Sequence, residues 1–168
     1  IEKIENAALE IASKVYFNEL KNHLEVKQNS IFIDKLPLNI LNLSLINTIF
    51  PQSKFILSLR HPLDCILSCW MQNFELNPAM ANMCNLDRIV DFYCIAMKNF
   101  TLSLKRYKLN FHKIRYEDLV DDFDGEVSKT LNYLDLKWEN QIKNYQEIAS
   151  KRGIIETPSY SQVVEPIY

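Results

Sequence analysis

Apolar residues recur at helical spacing at Ile4, Ala8, Ile11 and Val15, and Glu2, Lys3, Glu5, Glu10 and Lys14 take the other faces. The spacing predicts an amphipathic helix over residues 2 to about 23. Ile31-Phe32-Ile33 is a short apolar run that reads as a strand, followed directly by Asp34-Lys35-Leu36-Pro37. Pro37 then opens a very apolar helix through Leu38, Leu41, Leu45 and Ile49, and Pro51 and Gln52 end it. Phe55 to Leu59 is a second uncapped apolar run, the signature of a strand covered on both faces. Strand, helix and strand within one such stretch form a parallel crossover unit.

Further along, residues 63 to about 75 continue as a helix until Asn77-Pro78 breaks it, and residues 79 to 84 form a loop rich in Met and Asn. A long helix covers about 85 to 107, with Leu86, Val90, Tyr93, Met97, Phe100 and Leu104 as its core stripe. His112 to Arg115 is a third short strand, ending at Tyr116-Glu117-Asp118-Leu119. Phe123, Val127, Leu131 and Leu134 mark one more amphipathic helix, and Trp138, Ile142 and Tyr145 another. From Lys151 the periodicity dissolves. Thr157 to Gln162 is polar and turn-forming, and Val163 to Tyr168 reads as extended. Strands alternating with helices predict an α/β domain with a parallel sheet flanked by helices.

The junction after Phe55–Leu59 carries the chemistry. Arg60 stands at the carboxyl end of the strand, His61 and Pro62 stop it, and Pro62 is suited to the first position of a helix. Open α/β sheets place anionic ligands at such strand ends, beside helix N-termini. Ser68 lies one helical turn beyond Asp64 on the same face. Arg60 and Ser68 together offer a planar charged fork and a hydroxyl, a fitting pair for a phosphate. Lys35 repeats the arrangement: it too ends an expected strand and precedes a proline-started helix. In a parallel sheet the two would share an edge, while the bland reading of Lys35 is a solvated turn lysine.

Composition narrows the partners. The 168 residues suit one domain, 48% of them are hydrophobic, and the net charge is −2. That balance gives no support for a general nucleic-acid or membrane-surface partner. No apolar run is long enough to cross a bilayer. Cys65, Cys69, Cys84 and Cys94 form no C-x-x-C pair, and the expectation is reduced, mostly buried thiols in the cytoplasm. Gly125 and Gly153 are the only glycines, so no Gly-rich phosphate cradle occurs. The stretch Asp121 to Gly125 lacks the ligand spacing of a calcium loop and reads as a helix start. His23, His61 and His112 are isolated and lack metal spacing. Asn42-Leu43-Ser44 and Asn99-Phe100-Thr101 match the glycosylation pattern inside expected helices, and no G-x-S-x-G elbow is found.

Arg60-His-Pro-Leu-Asp64-Cys-Ile-Leu-Ser68 resembles the 3′-phosphate motif of sulfotransferases that use PAPS (3′-phosphoadenosine 5′-phosphosulfate). Arg115-Tyr116-Glu117-Asp118-Leu119 resembles that family's strand-end segment, whose tyrosine lies near the adenine. Asp34-Lys35-Leu36-Pro37 is similar to the turn carrying a catalytic residue two positions before proline: histidine in cytosolic members, lysine in the tyrosylprotein-sulfotransferase branch. Thr157 to Tyr168 looks like the S-x-x-Q-V-x-x-P segment of that branch and of bacterial sulfotransferases fused to tetratricopeptide repeats. The resemblance covers residues 31 to 168.

It implies a P-loop nucleotide-hydrolase-like sulfotransferase fold, present over 1–168 as a partial domain lacking both ends. The family's P-R-S-G-T-T phosphosulfate loop and its general base would lie before Ile1. It implies PAPS as donor, a hydroxyl-bearing acceptor, no metal, Lys35 as the catalytic residue, and Arg60, Ser68, Tyr116 and Ser159 as cofactor contacts. A tetratricopeptide fusion upstream and a Golgi lumen location for a eukaryotic protein come from the same resemblance. Two further readings stay open: a P-loop small-molecule kinase, and a non-catalytic α/β interaction domain.

Overall fold

The computed structural model describes residues 6–151 apart from 26, 28 and 29. Their elements run α1 (Asn6–His23), a 3-10 turn (Pro37–Leu41), α2 (Leu43–Ile49), β1 (Phe55–Leu59), α3 (Pro62–Met71), a 3-10 turn (Met80–Cys84), α4 (Leu86–Tyr107), β2 (Phe111–Arg115), α5 (Tyr116–Asp121), α6 (Phe123–Leu134), a 3-10 turn (Asn140–Asn144) and α7 (Tyr145–Lys151). The described residues of Ile1–Ser53 and Ile95–Asn110 form one compact unit, and those of Lys54–Cys94 and Phe111–Tyr168 form the other.

In the first unit α1 lies against α2. Tyr16 and Phe17 of α1 meet Phe50 edge-on at 5.1 and 5.7 Å between ring centres, and Phe17 also meets Phe32 at 6.0 Å. Leu43, Ala96, Phe100, Ser103 and Leu109 are buried. The helix expected from Pro37 to Ile49 is broken at Asn42, whose φ of −108° and ψ of 11° interrupt the spiral. Asparagine tolerates such a break because its side chain competes for backbone groups. Asn99 of α4 satisfies the carbonyls left open there, donating to Ile40 O and Leu41 O at 3.0 and 3.2 Å.

Residues 31–33 are not a strand. Ile31 is 61% exposed and Ile33 82% exposed, and Phe32 packs on Phe17 instead. A strand is held by pairing with a neighbour, and among the described residues the only ladder joins β1 to β2. The crossover expected between 31–33 and 55–59 is therefore replaced by a crossover between β1 and β2.

That pair is the sheet of the second unit. β1 and β2 run parallel, in register from Phe55↔Phe111 to Leu59↔Arg115. β1 was expected to be covered on both faces, yet burial alternates along it and Ile56 is 43% exposed. α6 follows β2 through α5 and packs on its His112 side. His112 Nε2 lies 3.0 Å from Thr130 Oγ1, and its ring stacks on Tyr133 at 5.3 Å. Tyr133 also reaches β1: its phenol accepts from Phe55 N at 3.0 Å and donates to Phe55 O at 3.2 Å. Lys54 donates to Tyr133 O at 2.8 Å and pairs with Asp135. Asp135, with φ of 59°, turns the chain out of α6, and Leu136 N returns to Leu131 O at 2.9 Å.

The start of α6 explains Gly125. Asp122 is the N-cap and accepts from Gly125 N at 2.9 Å, the helix-start role expected of this acidic stretch. A Cβ at Gly125 would stand 2.0 Å from Asp122 Oδ2. On α4 the buried residues are Ile89, Ala96, Phe100 and Ser103, while Leu86 and Val90 of the expected stripe are 45% and 40% exposed. The true stripe is rotated because two of its members, Ala96 and Ser103, are small and weakly apolar and so hardly register in a hydropathy pattern. α3 ends at Met71, before the Asn77-Pro78 break that was expected to end it.

Tyr133→Phe removes both bonds that tie α6 to the first residue of β1. The expected cost is about 1–2 kcal/mol, read as a lower midpoint in urea with unchanged slope. An unchanged midpoint would show that Phe55 needs no side-chain partner. Gly125→Ala is expected to destabilise although alanine favours helices by about 1 kcal/mol, because Asp122 must abandon its cap. A stabilised Gly125→Ala variant in the same assay would contradict this.

Candidate functional site

Equal-length parallel strands in register must finish at the same edge, so the residues after Leu59 and Arg115 emerge side by side. They are Arg60 and Tyr116, and the Arg60 guanidinium lies over the Tyr116 ring, 4.8 Å from its centre. Pro62 at the first position starts α3 immediately after, with Asp64 in its first turn. Arg60 Nε faces Asp64 Oδ2 at 3.8 Å, and both side chains are exposed by more than a third. A surface pair of that length is weak and leaves the guanidinium its other donors. The start of α3 adds amides without intrahelical partners and the positive end of the helix dipole. Ser68 follows in α3, half-buried, a turn after Asp64. Arg60 and Tyr116 thus share one strand edge at the start of α3, and Ser68 lies in the second turn of that helix. An arginine fork, helix amides and a serine suit a phosphate, and a neighbouring aromatic ring suits a base.

Glu117, to which the sequence assigned no role, completes this edge. Its Oε1 accepts from His61 N at 2.6 Å, joining the turn after β1 to the turn after β2. Arg115 flanks it, 3.4 Å from Glu117 Oε2 and 4.0 Å from Asp118 Oδ1. The carboxyl is held below its ordinary value by its own backbone amide first, then by the His61 amide, with Arg115 helping and desolvation opposing. Its place directly after Tyr116 was the available signal.

Cys65 sits under the same turn, its Sγ 3.9 Å from Arg60 O. Burial first, then Cys69, push its thiol up, while Arg60 pulls the other way. Burial likewise raises Cys69. Thiols raised in this way are poor nucleophiles, so neither is a candidate for covalent catalysis. All four cysteines are free, but Cys84 and Cys94 are exposed, against the expectation of mostly buried thiols.

Lys35 belongs to the first unit. It is exposed, in the extended segment ahead of the Pro37 turn, and Leu36 has the extended backbone typical before proline. Tyr16 of α1 donates to Asp34 at 3.1 Å and so fixes the base of the Asp34–Pro37 turn. Burial first, then Asp34, raise the Tyr16 phenol. The shared strand edge that was to bring Lys35 beside Arg60 is not formed, because 31–33 is not a strand. Ser159 and the whole Thr157–Tyr168 segment lie outside the described residues.

In open parallel α/β units ligands commonly bind outside the carboxyl ends of the strands, the edge where Arg60 and Tyr116 stand. Residues 2–140 match the family described as "Sulfotransferase family", and the chain belongs to that family. It is also 25% identical over 140 residues to an uncharacterized protein of Aquifex aeolicus (strain VF5), a match covering 81% of this chain and 18% of that protein. The chain therefore spans less than a fifth of the length of that relative. No helix among the described residues is long and apolar enough to cross a membrane.

Protonating Glu117 weakens its bond to the His61 amide. Because its folded value is lowered, the stabilisation is present above the ordinary value of 4.5 and is lost as pH falls through the folded one. Glu117→Gln should be less stable than wild type near neutrality, with the gap closing below pH 4.5. Urea titrations at a series of pH values check this, and a gap independent of pH would exclude the carboxylate charge as its source.

Proposed function

We propose that this chain supplies the 3′-phosphate-binding half of a PAPS-dependent sulfotransferase acting on a hydroxyl-bearing acceptor. The observation that carries the reading is Arg60 at the end of β1, stacked on Tyr116 and placed at the start of α3. Membership of the sulfotransferase family supports it. Bound PAPS supplies an activated sulfuryl group on a phosphosulfate anhydride. Arg60 and Ser68 hold the 3′-phosphate through charge-assisted hydrogen bonds, and Tyr116 packs near the adenine. Binding energy gathered there positions the reactive end without taking part in the chemistry.

Lys35 is the residue we assign to the sulfonate, as a fixed positive charge where negative charge builds up. It is not assigned as a general base, a role that lysine fills poorly. Ser159 is assigned to the same reactive end, on the resemblance of its segment alone. The acceptor hydroxyl belongs to a protein tyrosine, a sugar or a small alcohol. Free thiols at all four cysteines favour a reducing compartment such as the cytoplasm.

Calorimetry with adenosine 3′,5′-bisphosphate on the full-length protein tests the binding assignment. Arg60→Ala should weaken binding by about ten- to a hundredfold with little change in unfolding midpoint, since Arg60 is a surface residue with a weak ion pair. Equal affinity in variant and wild type would sink the assignment. Lys35→Ala should lower turnover by about 10²–10³ while bisphosphate affinity survives. Undiminished turnover would remove Lys35 from the mechanism.

A further inference from the structure

The ladder between β1 and β2 stops at Leu59↔Arg115, so it does not fix the direction in which Arg60 leaves the sheet. The next peptide, joining Arg60 to His61, does, because its plane sets the backbone angle of Arg60. It is gripped at both ends. Glu117 Oε1 takes the His61 N–H at 2.6 Å, and Cys65 Sγ lies 3.9 Å from Arg60 O. His61 O is occupied as well, by Cys65 N at 3.1 Å, in the first turn of α3. Glu117 is the chain neighbour of Tyr116, on whose ring Arg60 rests. One carboxylate therefore ties the arginine's own peptide to the segment that supplies the arginine's resting surface.

A carboxylate beside an anion site ordinarily repels the ligand. Here Arg115 Nη2 stands 3.4 Å from Glu117 Oε2 and offsets that charge. Oε2 is buried and has no hydrogen-bond partner among the described residues. Glu117 thus turns one oxygen to the Arg60–His61 turn and the other to Arg115.

We propose that Glu117 is a positioning residue for the phosphate grip: it acts through the His61 amide to hold Arg60 in its binding orientation. The inference rests on the reading of Arg60 as a 3′-phosphate ligand. Glu117 does not touch the ligand. Its contribution is to remove the freedom of the Arg60 peptide before binding, so that ordering this turn does not weaken affinity. Glutamine keeps an acceptor oxygen at the same reach and should preserve most of the effect, whereas alanine abolishes it.

The test is a double-mutant cycle on the full-length protein, with adenosine 3′,5′-bisphosphate as probe and calorimetry as readout. It is run below the unfolding temperature of every variant, with folding confirmed by circular dichroism. Glu117→Ala should lose about tenfold in affinity, and Glu117→Gln should stay within about threefold of wild type. In an Arg60→Ala background, Glu117→Ala should change affinity no further, since the two act as one unit. Wild-type affinity in folded Glu117→Ala would overturn the inference and leave a structural role only. An equal further loss in the Arg60→Ala background would overturn it too, by showing an effect independent of Arg60. If Arg60→Ala binds like wild type, or wild type binds no bisphosphate, the reading of Arg60 fails first and the inference falls with it.

Discussion

Parallel strands in register leave the chain at a common edge, and whatever follows them is forced into proximity. β1 and β2 are joined from Phe55↔Phe111 to Leu59↔Arg115, so Arg60 and Tyr116 become neighbours although far apart in sequence. The remainder of the second unit serves this pairing. Tyr133 secures the first residue of β1 from α6, and Asp122 and Asp135 define where α6 starts and stops. Glu117 then carries the coupling beyond the last ladder residue, into the turns that follow both strands.

The chemistry follows from charge placement. The exposed edge concentrates Arg60 and the start of α3 against a background of acidic side chains at Asp64, Glu117 and Asp118. The protein as a whole carries a net charge of −2, so any positive potential at this edge is local. The chain belongs to the sulfotransferase family.

Where expectation and structure part, packing explains the difference. Ile31-Phe32-Ile33 has the composition of a strand, but composition cannot provide a pairing partner, and Phe32 finds the aromatic cluster around Phe17. The helix from Pro37 breaks at Asn42, where a 3-10 turn gives way to α2 and Asn99 covers the open carbonyls. The buried stripe of α4 runs through Ala96 and Ser103, residues too small or polar to stand out by hydropathy.

The local elements of the second unit were legible in the sequence because their signals are local. Pro62 starts α3, Phe123 to Leu134 repeats at helical spacing, and the apolar run at 55–59 and the short stretch 112–115 mark two strands. The position of Arg60 at the end of a strand and ahead of a proline-started helix was legible for the same reason. Tertiary structure alone decided that β1 pairs with β2, that Arg60 rests on Tyr116, and that Glu117 reaches the His61 amide. Those facts depend on contacts between segments separated by a long crossover. Hydrophobic periodicity says which face of an element is buried, but only packing says which partner covers it.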